Sequence, residues 1–481
     1  MQGSVKSALI RGVVWNSIEK VLMKGAAFII GIVLARLLSP ADYGLVGMLT
    51  VFIAIANVFI EGGFAKALIQ RSNCSDLDYS TAFVSNVVMS IIIYLILFFC
   101  APLIASFYKE PILIDLTRVL SLRFILGSFN IVQRAKLMAA VDFKSLAKIN
   151  VISTIAGGVI GVSMAYFRFG VWSLVGQSIG NTLTSVILFP FISKWTPSVK
   201  FSKESFKQLF GFGSKLMITG VYAVVFNNIS TLCIGKYYRS QQLGYFTRAN
   251  QFSDMLAMTI NDVLGTVTFP VLSSLQDEKE RMVAVYRKML FITALIVFPV
   301  MLLCTLLARP IIVILLTEKW LPCVVLAQWL FMARMFTPLS ALNMNILNAV
   351  GRSDLFLKID LLKAPLTIIC LVITVPLGVK AIVIGDFICT FICFFINAYL
   401  PGKMFGYGAI QQLKDWRYII LSLAVMAASV ILLLHFVENL WLQLTFGGLA
   451  GAAIYIGCCL LFKVIDDEML VMLKIKKPNN E

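Results

Sequence analysis

What most restricts this chain is a succession of apolar runs of about 20 residues, parted by short polar breaks. A bilayer core of roughly 30 Å takes about 20 residues of helix, and lipid offers no partner to an unpaired backbone group. Runs and breakers predict spans over 12–35, 42–65, 81–107, 114–138, 149–167, 171–193, 210–235, 244–272, 287–308, 323–349, 355–376, 379–400, 418–436 and 440–462, fourteen in all. The longest break, 194–207, contains Pro197. With 59% hydrophobic residues, 14% charged residues and a mean hydropathy of +0.91, the 481 residues leave no room for a separate soluble domain. The expected fold class is an all-α integral membrane protein with about fourteen transmembrane helices.

The chain carries 41 Lys plus Arg against 24 Asp plus Glu. With the N-terminus inside, alternating the spans puts 24 of the basic residues on the cytoplasmic side, 8 outside and 9 within spans. The outer eight are Arg36, Lys109, Arg168, Lys236, Arg239, Arg309, Lys319 and Lys380. Positive-inside bias then predicts both termini in the cytoplasm and an even number of spans. Most of the surplus charge is thus topological. The first apolar segment is broken by Glu19, Lys20 and Lys24 and has no A-x-A cleavage site, so it reads as a retained span rather than a signal peptide.

Several classes of chemistry lack their residues. The one histidine, His435, sits near the end of a span, which removes His-based triads and His-rich metal sites. Most of the ten cysteines lie in apolar runs and no CxxC pair occurs. A GxxxxGK[ST] phosphate loop is absent, so this chain alone does not drive transport with ATP. Neither a catalytic residue nor a metal ligand is expected.

Three weak internal matches recur in one order. Ala35 to Gly44 pairs with Gly235 to Gly244 at an offset of 200, Lys148-Ile149-Asn150 with Lys358-Ile359-Asp360 at 210, and Gly170-Val171 and Val175 with Gly378-Val379 and Val383 at 208. Each falls at the same stage of the span order, so spans 1 to 6 and 7 to 12 read as two copies of a six-helix unit. Six is even, so the copies run parallel, related by an axis along the membrane normal. Spans 13 and 14 have no counterpart.

Ionisable and amide side chains inside spans are site candidates, because lipid tolerates them only against the bundle interior or a water-filled cavity. In span 1, Asn16, Lys20 and Lys24 follow an i, i+4, i+8 line with Glu19 beside it. Lys24 is either a cavity-lining cation or the partner of Glu19, with snorkelling as a third role. In span 8, Gln251, Asp254 and Asn261 share one stripe and Arg248 stands near its outer end. Span 2 carries Asn57 and Glu61; span 7 carries Lys215, read as topological. Arg123 and Arg334 occupy nearly equivalent repeat positions in spans 4 and 10, suited either to lipid phosphate or to tying helices together. Asp360 and Lys363 form an i, i+3 pair, and Asp386 has no partner in its own helix. Several fixed cations in a central cavity suit an anionic head group, phosphate above all. Gly157-Gly158, Pro190, Pro270, Pro299, Pro338 and Pro365 are places where spans could bend between states.

The stretch Leu34-Ala35-Arg36-Leu37-Leu38-Ser39-Pro40-Ala41-Asp42-Tyr43-Gly44, followed by Gly62-Gly63-Phe64-Ala65-Lys66-Ala67-Leu68-Ile69-Gln70, resembles the polysaccharide transporter branch of the multidrug/oligosaccharidyl-lipid/polysaccharide exporter superfamily. Ile234-Gly235-Lys236, Leu243 to Ala249 and Glu318-Lys319-Trp320 add to the likeness, which is strongest to exporters of colanic acid type and O-antigen flippases. The resemblance implies a two-lobed bundle: an N-lobe over 1–193, a cytoplasmic linker over 194–209, a C-lobe over 210–400, spans 13 and 14 within 401–462, and a cytoplasmic tail over 463–481. It implies flipping of an undecaprenyl-pyrophosphate-linked oligosaccharide across a bacterial inner membrane by alternating access, with polysaccharide polymerase and glycosyltransferases as partners.

By that resemblance Lys24 and Arg248, with Lys20 behind them, meet the pyrophosphate, and Asn16, Gln251 and Asn261 complete the cavity. Glu19 and Asp254 are the candidates for coupling to an H⁺ or Na⁺ gradient, or simply balance the nearby cations; no other cofactor is expected. Arg123, Arg334 and Glu61 are secondary candidates. Span 2 holds no cation within its membrane run, a departure from the lipid-precursor flippases. Two other readings stay open: a cation-coupled drug or metabolite antiporter on the same fold, and a membrane glycosyltransferase or polymerase, which would call for a large outer loop or a paired-carboxylate motif.

Overall fold

The computed structural model describes residues 22–61, 68, 75–140, 142–193, 195 and 198–464. Every expected span coincides there with a helix or a helix pair, and no strand occurs among the described residues. In chain order these are α1 (residues 22–37), α2 (Pro40–Glu61), α3 (Asp76–Tyr108), α4 (Leu113–Ala139), α5 (Phe143–Tyr166), α6 (Trp172–Ser193), α7 (Lys203–Asn227), α8 (Ile229–Tyr237), α9 (Ser240–Ser274) and α10 (Lys279–Leu306). There follow α11 (Ala308–Leu316), α12 (Leu321–Arg334), α13 (Thr337–Ala349), α14 (Ser353–Thr374), α15 (Val379–Phe405), α16 (Ala409–Asp415), α17 (Arg417–Phe436) and α18 (Leu440–Leu461). Among the described residues nine helical segments are long and apolar enough to cross a membrane, or ten with the bent pair Met217–Asn227 and Ile229–Tyr237. The chain is thus an all-α, multi-pass membrane protein, and fourteen is the sequence count alone.

Two expected spans are broken. The seventh bends by 50° between α7 and α8. The tenth stops at Arg334 and restarts at Thr337-Pro338, where the proline ring removes a donor the first helical turn does not need. By contrast Pro190, Pro299 and Pro365 lie inside helices without a break. Two short helices, α11 and α16, fall between spans where no element was expected.

Local chemistry sets several helix starts. Ser39 caps α2, its hydroxyl accepting from the Asp42 N–H at 3.3 Å while Asp42 Oδ2 accepts from the Ser39 N–H at 2.9 Å. Pro40 follows at the first helical position, so the Ser-Pro-Ala-Asp motif is a capping box. Ser75 and Asp78 repeat the device on α3.

By its contacts the chain falls into two units, Met1–Gly244 and Tyr245–Glu481, with the border in the first turn of α9. The first unit includes α7 and α8, which pack on α2 and α3, although the repeat count places them in the second half. Its tightest seam joins α5 to α6. A Cβ at Gly157 would meet the Gln177 carbonyl oxygen and Asn181, one at Gly161 would meet Gln177 and the Ser173 carbonyl, and one at Gly180 would meet Ile160. These small residues bring the two backbones together, as in lipid-embedded helix pairs generally. At Gly157-Gly158 α5 is continuous, and Gly157 serves close packing.

The second unit packs α10 against α12, α13 and α17. Its aromatic core stacks Phe298, Phe336, Phe394 and Trp416 at centroid distances between 5.5 and 5.9 Å. At one end α16 is tied down by polar contacts. Arg287 grips Asp415 through Nε at 2.7 Å and Nη2 at 2.8 Å, and the Tyr407 hydroxyl donates to Asp415 at 2.7 Å. Burial and the Asp415 carboxylate both push the Tyr407 phenol above its ordinary range. Inside, Asn343 Oδ1 accepts from the Tyr286 hydroxyl and from Gln412 Nε2.

The internal matches have structural counterparts. Gly170 and Gly378 both take positive φ, 56° and 110°, the first two residues before α6 and the second directly before α15. The valines after them, Val171, Val175, Val379 and Val383, are all buried. Ile149 and Ile359 are likewise buried, each behind an exposed lysine.

Candidate functional site

Helix α9 carries most of the expected polar stripe, and its neighbours in the second unit complete a charged cluster. Arg334, the last residue of α12, reaches three partners. Its Nε donates to Asp254 Oδ1 at 2.5 Å, Nη1 to Asp386 Oδ2 on α15 at 3.0 Å, and Nη2 to Asn250 Oδ1 at 2.8 Å. Asn250 Nδ2 in turn donates to Asp254 Oδ2 at 2.7 Å, closing a ring. The break after Arg334 is what leaves this side chain at a helix end, where it spans two other helices.

Two carboxylates face one guanidinium, so the ring is formally one charge negative. A buried charge imbalance is costly in low dielectric. Here the side chains are 19% (Arg334), 25% (Asp254) and 33% (Asp386) exposed, so the cluster is only partly buried. On α14, Lys363 and Asp360 pair at 2.5 Å as their spacing implied. Asp386, alone in its own helix, finds its partner on another.

Arg248 is buried near the start of α9. It is 5% exposed, and its Nη1 donates to Gln251 Oε1 at 2.6 Å. Asn261 lies further along α9 with a buried Oδ1 that no hydrogen bond satisfies. Lys24 lies half-buried in α1. Asn16, Glu19 and Lys20 lie outside the described residues, as do the side chains of Glu61 and Lys215.

In the first unit Arg123 Nη1 donates to Ser178 on α6 at 3.1 Å, and two turns on Asn130 donates to Ser185 at 2.7 Å. Ser178 stands 208 residues before Asp386, the offset of the Gly170–Gly378 match. The same arginine-to-helix link therefore recurs in both units, to a hydroxyl in the first and to a carboxylate in the second. Asn250 escaped the sequence reading. Its position four residues before Asp254, on the same helical face, was the available signal.

The sequence model of a family described as polysaccharide biosynthesis protein matches residues 33–325, more than half of the chain. The lipopolysaccharide biosynthesis protein WzxC of Escherichia coli (strain K12) is 25% identical over 373 residues, 77% of this chain and 76% of its own length. The solved structure of the lipid II flippase MurJ, in an inward closed conformation, is similar over 96% of this chain and 100% of that one, with a TM-score of 0.77 at 15% identity. An inward-facing multidrug resistance MATE family transporter of the MOP superfamily follows at 0.64 and 17% identity, over 82% of this chain and 97% of that one.

Proposed function

The chain belongs to the polysaccharide biosynthesis protein family, as a membrane transporter rather than an enzyme, and from that membership we propose that it flips an undecaprenyl-pyrophosphate-linked oligosaccharide. The lipid-linked glycan is taken at the cytoplasmic leaflet of a bacterial inner membrane and delivered to the outer leaflet by alternating access. Polysaccharide polymerase and glycosyltransferases would then be its working partners, and both termini would lie in the cytoplasm.

The observation that carries this reading is the family match over residues 33–325, which contains the Leu34 to Gly44 motif and α9 with its polar stripe. On this reading Lys20 and Lys24 attract the diphosphate, because compact ammonium groups bind phosphate oxygens strongly. Arg248 contributes charge from a buried position. Gln251, Asn261 and Asn16 supply neutral polar contacts.

Coupling falls to Asp254, with Glu19 as the second candidate. Asp254 shares Arg334 with Asp386, so neutralising one carboxylate by H⁺, or screening it with Na⁺, changes how tightly α9, α12 and α15 are held. That is a local charge change acting on a packed element, the usual form of a transport switch.

Reconstitution into vesicles with undecaprenyl-pyrophosphate oligosaccharide tests the reading, scoring the leaflet that exposes glycan. Wild-type protein should transfer glycan, and Lys24→Ala should slow it at least tenfold. Absence of transfer, combined with export of cationic drugs from the same vesicles, would favour the antiporter reading.

A further inference from the structure

The positive-inside pattern leaves only eight cations for the outer face, so their distribution there is informative. Three of them, Lys109, Lys236 and Arg239, line one cleft of about 580 Å³ in the first unit, with Glu110 the lone carboxylate in its wall. Its two sides are the turn after α3 and the turn between α8 and α9. That volume lies within the roughly 300–1,000 Å³ of small-molecule sites.

The cations are not neutralising one another's surroundings. Lys236 is fixed by the Phe107 carbonyl oxygen at 2.7 Å and lies 4.1 Å from the Phe107 ring centroid. Lys109 and Arg239 are exposed, and neither has a side-chain hydrogen bond or ion pair among the described residues. Glu110 makes none with them either. Three positive charges against one negative leave the cleft at +2, with two cations held apart from the carboxylate beside them. Guanidinium and ammonium groups in this state match a carboxylate or phosphate ligand.

The remaining walls favour a sugar over a bare ion. Tyr237, 68% exposed, and Tyr238 offer aromatic rings, and Gln241 and Gln242 offer amides that both donate to and accept from hydroxyls. We propose that this cleft is an acidic-saccharide site: it holds a hexuronate-type unit of the glycan at the outer face, the carboxylate on Lys109 and Arg239 and the ring against Tyr237. The assignment rests on the flippase reading above and narrows its substrate to glycans with acidic units.

The test uses the full-length chain in nanodiscs of phosphatidylcholine, titrated by calorimetry with trigalacturonate, maltotriose and inorganic phosphate. Trigalacturonate should bind at least tenfold more tightly than maltotriose or phosphate. The doubly substituted Lys109→Gln, Arg239→Gln protein should lose at least tenfold in affinity, Tyr237→Ala several-fold, and Lys380→Gln, an outer cation elsewhere, nothing. All replaced side chains are exposed, and unchanged elution on gel filtration shows that each variant is folded. Equal binding of phosphate or maltotriose, or trigalacturonate binding unmoved by the double substitution, overturns the site. Glycan transfer in vesicles is scored separately. Transfer without trigalacturonate binding sinks this site alone, and binding without transfer sinks the flippase reading.

Discussion

Gly44 and Gly244 lie against each other's helix starts: a Cβ on Gly44 would overlap the carbonyl oxygen of Ser240, and one on Gly244 would overlap that of Pro40. The two glycines are related by the offset of 200 that relates the sequence repeats, and so are Pro40 and Ser240. Each opens its helix four residues after the start, so α2 and the first turn of α9 cross backbone to backbone in a reciprocal contact. Only glycine permits that approach.

Gly44→Ala and Gly244→Ala should therefore each destabilise the protein by more than the 1–3 kcal/mol typical of overpacking, because a backbone carbonyl cannot rotate away as a side chain can. Thermal unfolding of the detergent-purified protein checks this. Gly457→Ala, where nothing lies within 4 Å of the added carbon, is the contrast, and should be neutral or stabilising by up to about 1 kcal/mol.

Arg334→Met should be more damaging than Asp254→Asn or Asp386→Asn. Removing the arginine leaves two carboxylates facing each other, whereas removing one carboxylate leaves an Arg–Asp pair. Loss of one member of a buried pair costs about 3–5 kcal/mol, and the partial exposure of this cluster places the cost below that range. A double-mutant cycle in thermal unfolding, with Arg334→Met combined with Asp254→Asn, should recover part of the loss. Purely additive effects would contradict the ring.

Arg123→Met, by contrast, breaks among its contacts a link to a hydroxyl, a hydrogen bond to a charged group worth about 1.5–3 kcal/mol. Replacing Ser178 with Asp should strengthen the link by copying the pairing of the second unit. Greater thermal stability of Ser178→Asp in the wild-type background, abolished in Arg123→Met, is the expected pattern.

Tyr407 gives a pH dependence. Its phenol is held above the ordinary value of about 10, first by burial and then by its bond to Asp415. The folded state keeps the proton longer than the unfolded one, so stability is constant below about pH 10 and falls as pH rises beyond it. Tyr407→Phe should flatten that alkaline fall while losing about 1.5–3 kcal/mol at neutral pH with the bond to the Asp415 carboxylate. Stability measured by denaturation between pH 7 and 11 decides.

Much of the fold was legible because lipid imposes it. A run of about 20 apolar residues has few options other than a helix, and the sequence limits at 171–193 and 379–400 fall within a few residues of α6 and α15, apart from five more residues at the end of α15. Ser39-Pro40-Ala41-Asp42 likewise contains its own capping box, since every bond in it is local. Charged residues were found for the same reason: they are rare in such runs and stand out.

What each of those charges does depended on helices distant in sequence. Asp386 looked solitary because its partner, Arg334, lies 52 residues away on another helix, and the burial of Arg248 is set by packing that its own segment does not show. The Gly157-Gly158 pair marks a permissive stretch in the sequence, and only the approach of α6 shows that Gly157 is also a close contact. Sequence alone determined the membrane-spanning class and the identity of the polar residues, because hydrophobic period and local capping are properties of neighbours along the chain. Tertiary structure decided which polar groups pair, which glycines touch and where Lys109, Lys236 and Arg239 meet, because those are settled by side chains that only packing brings within a few ångströms.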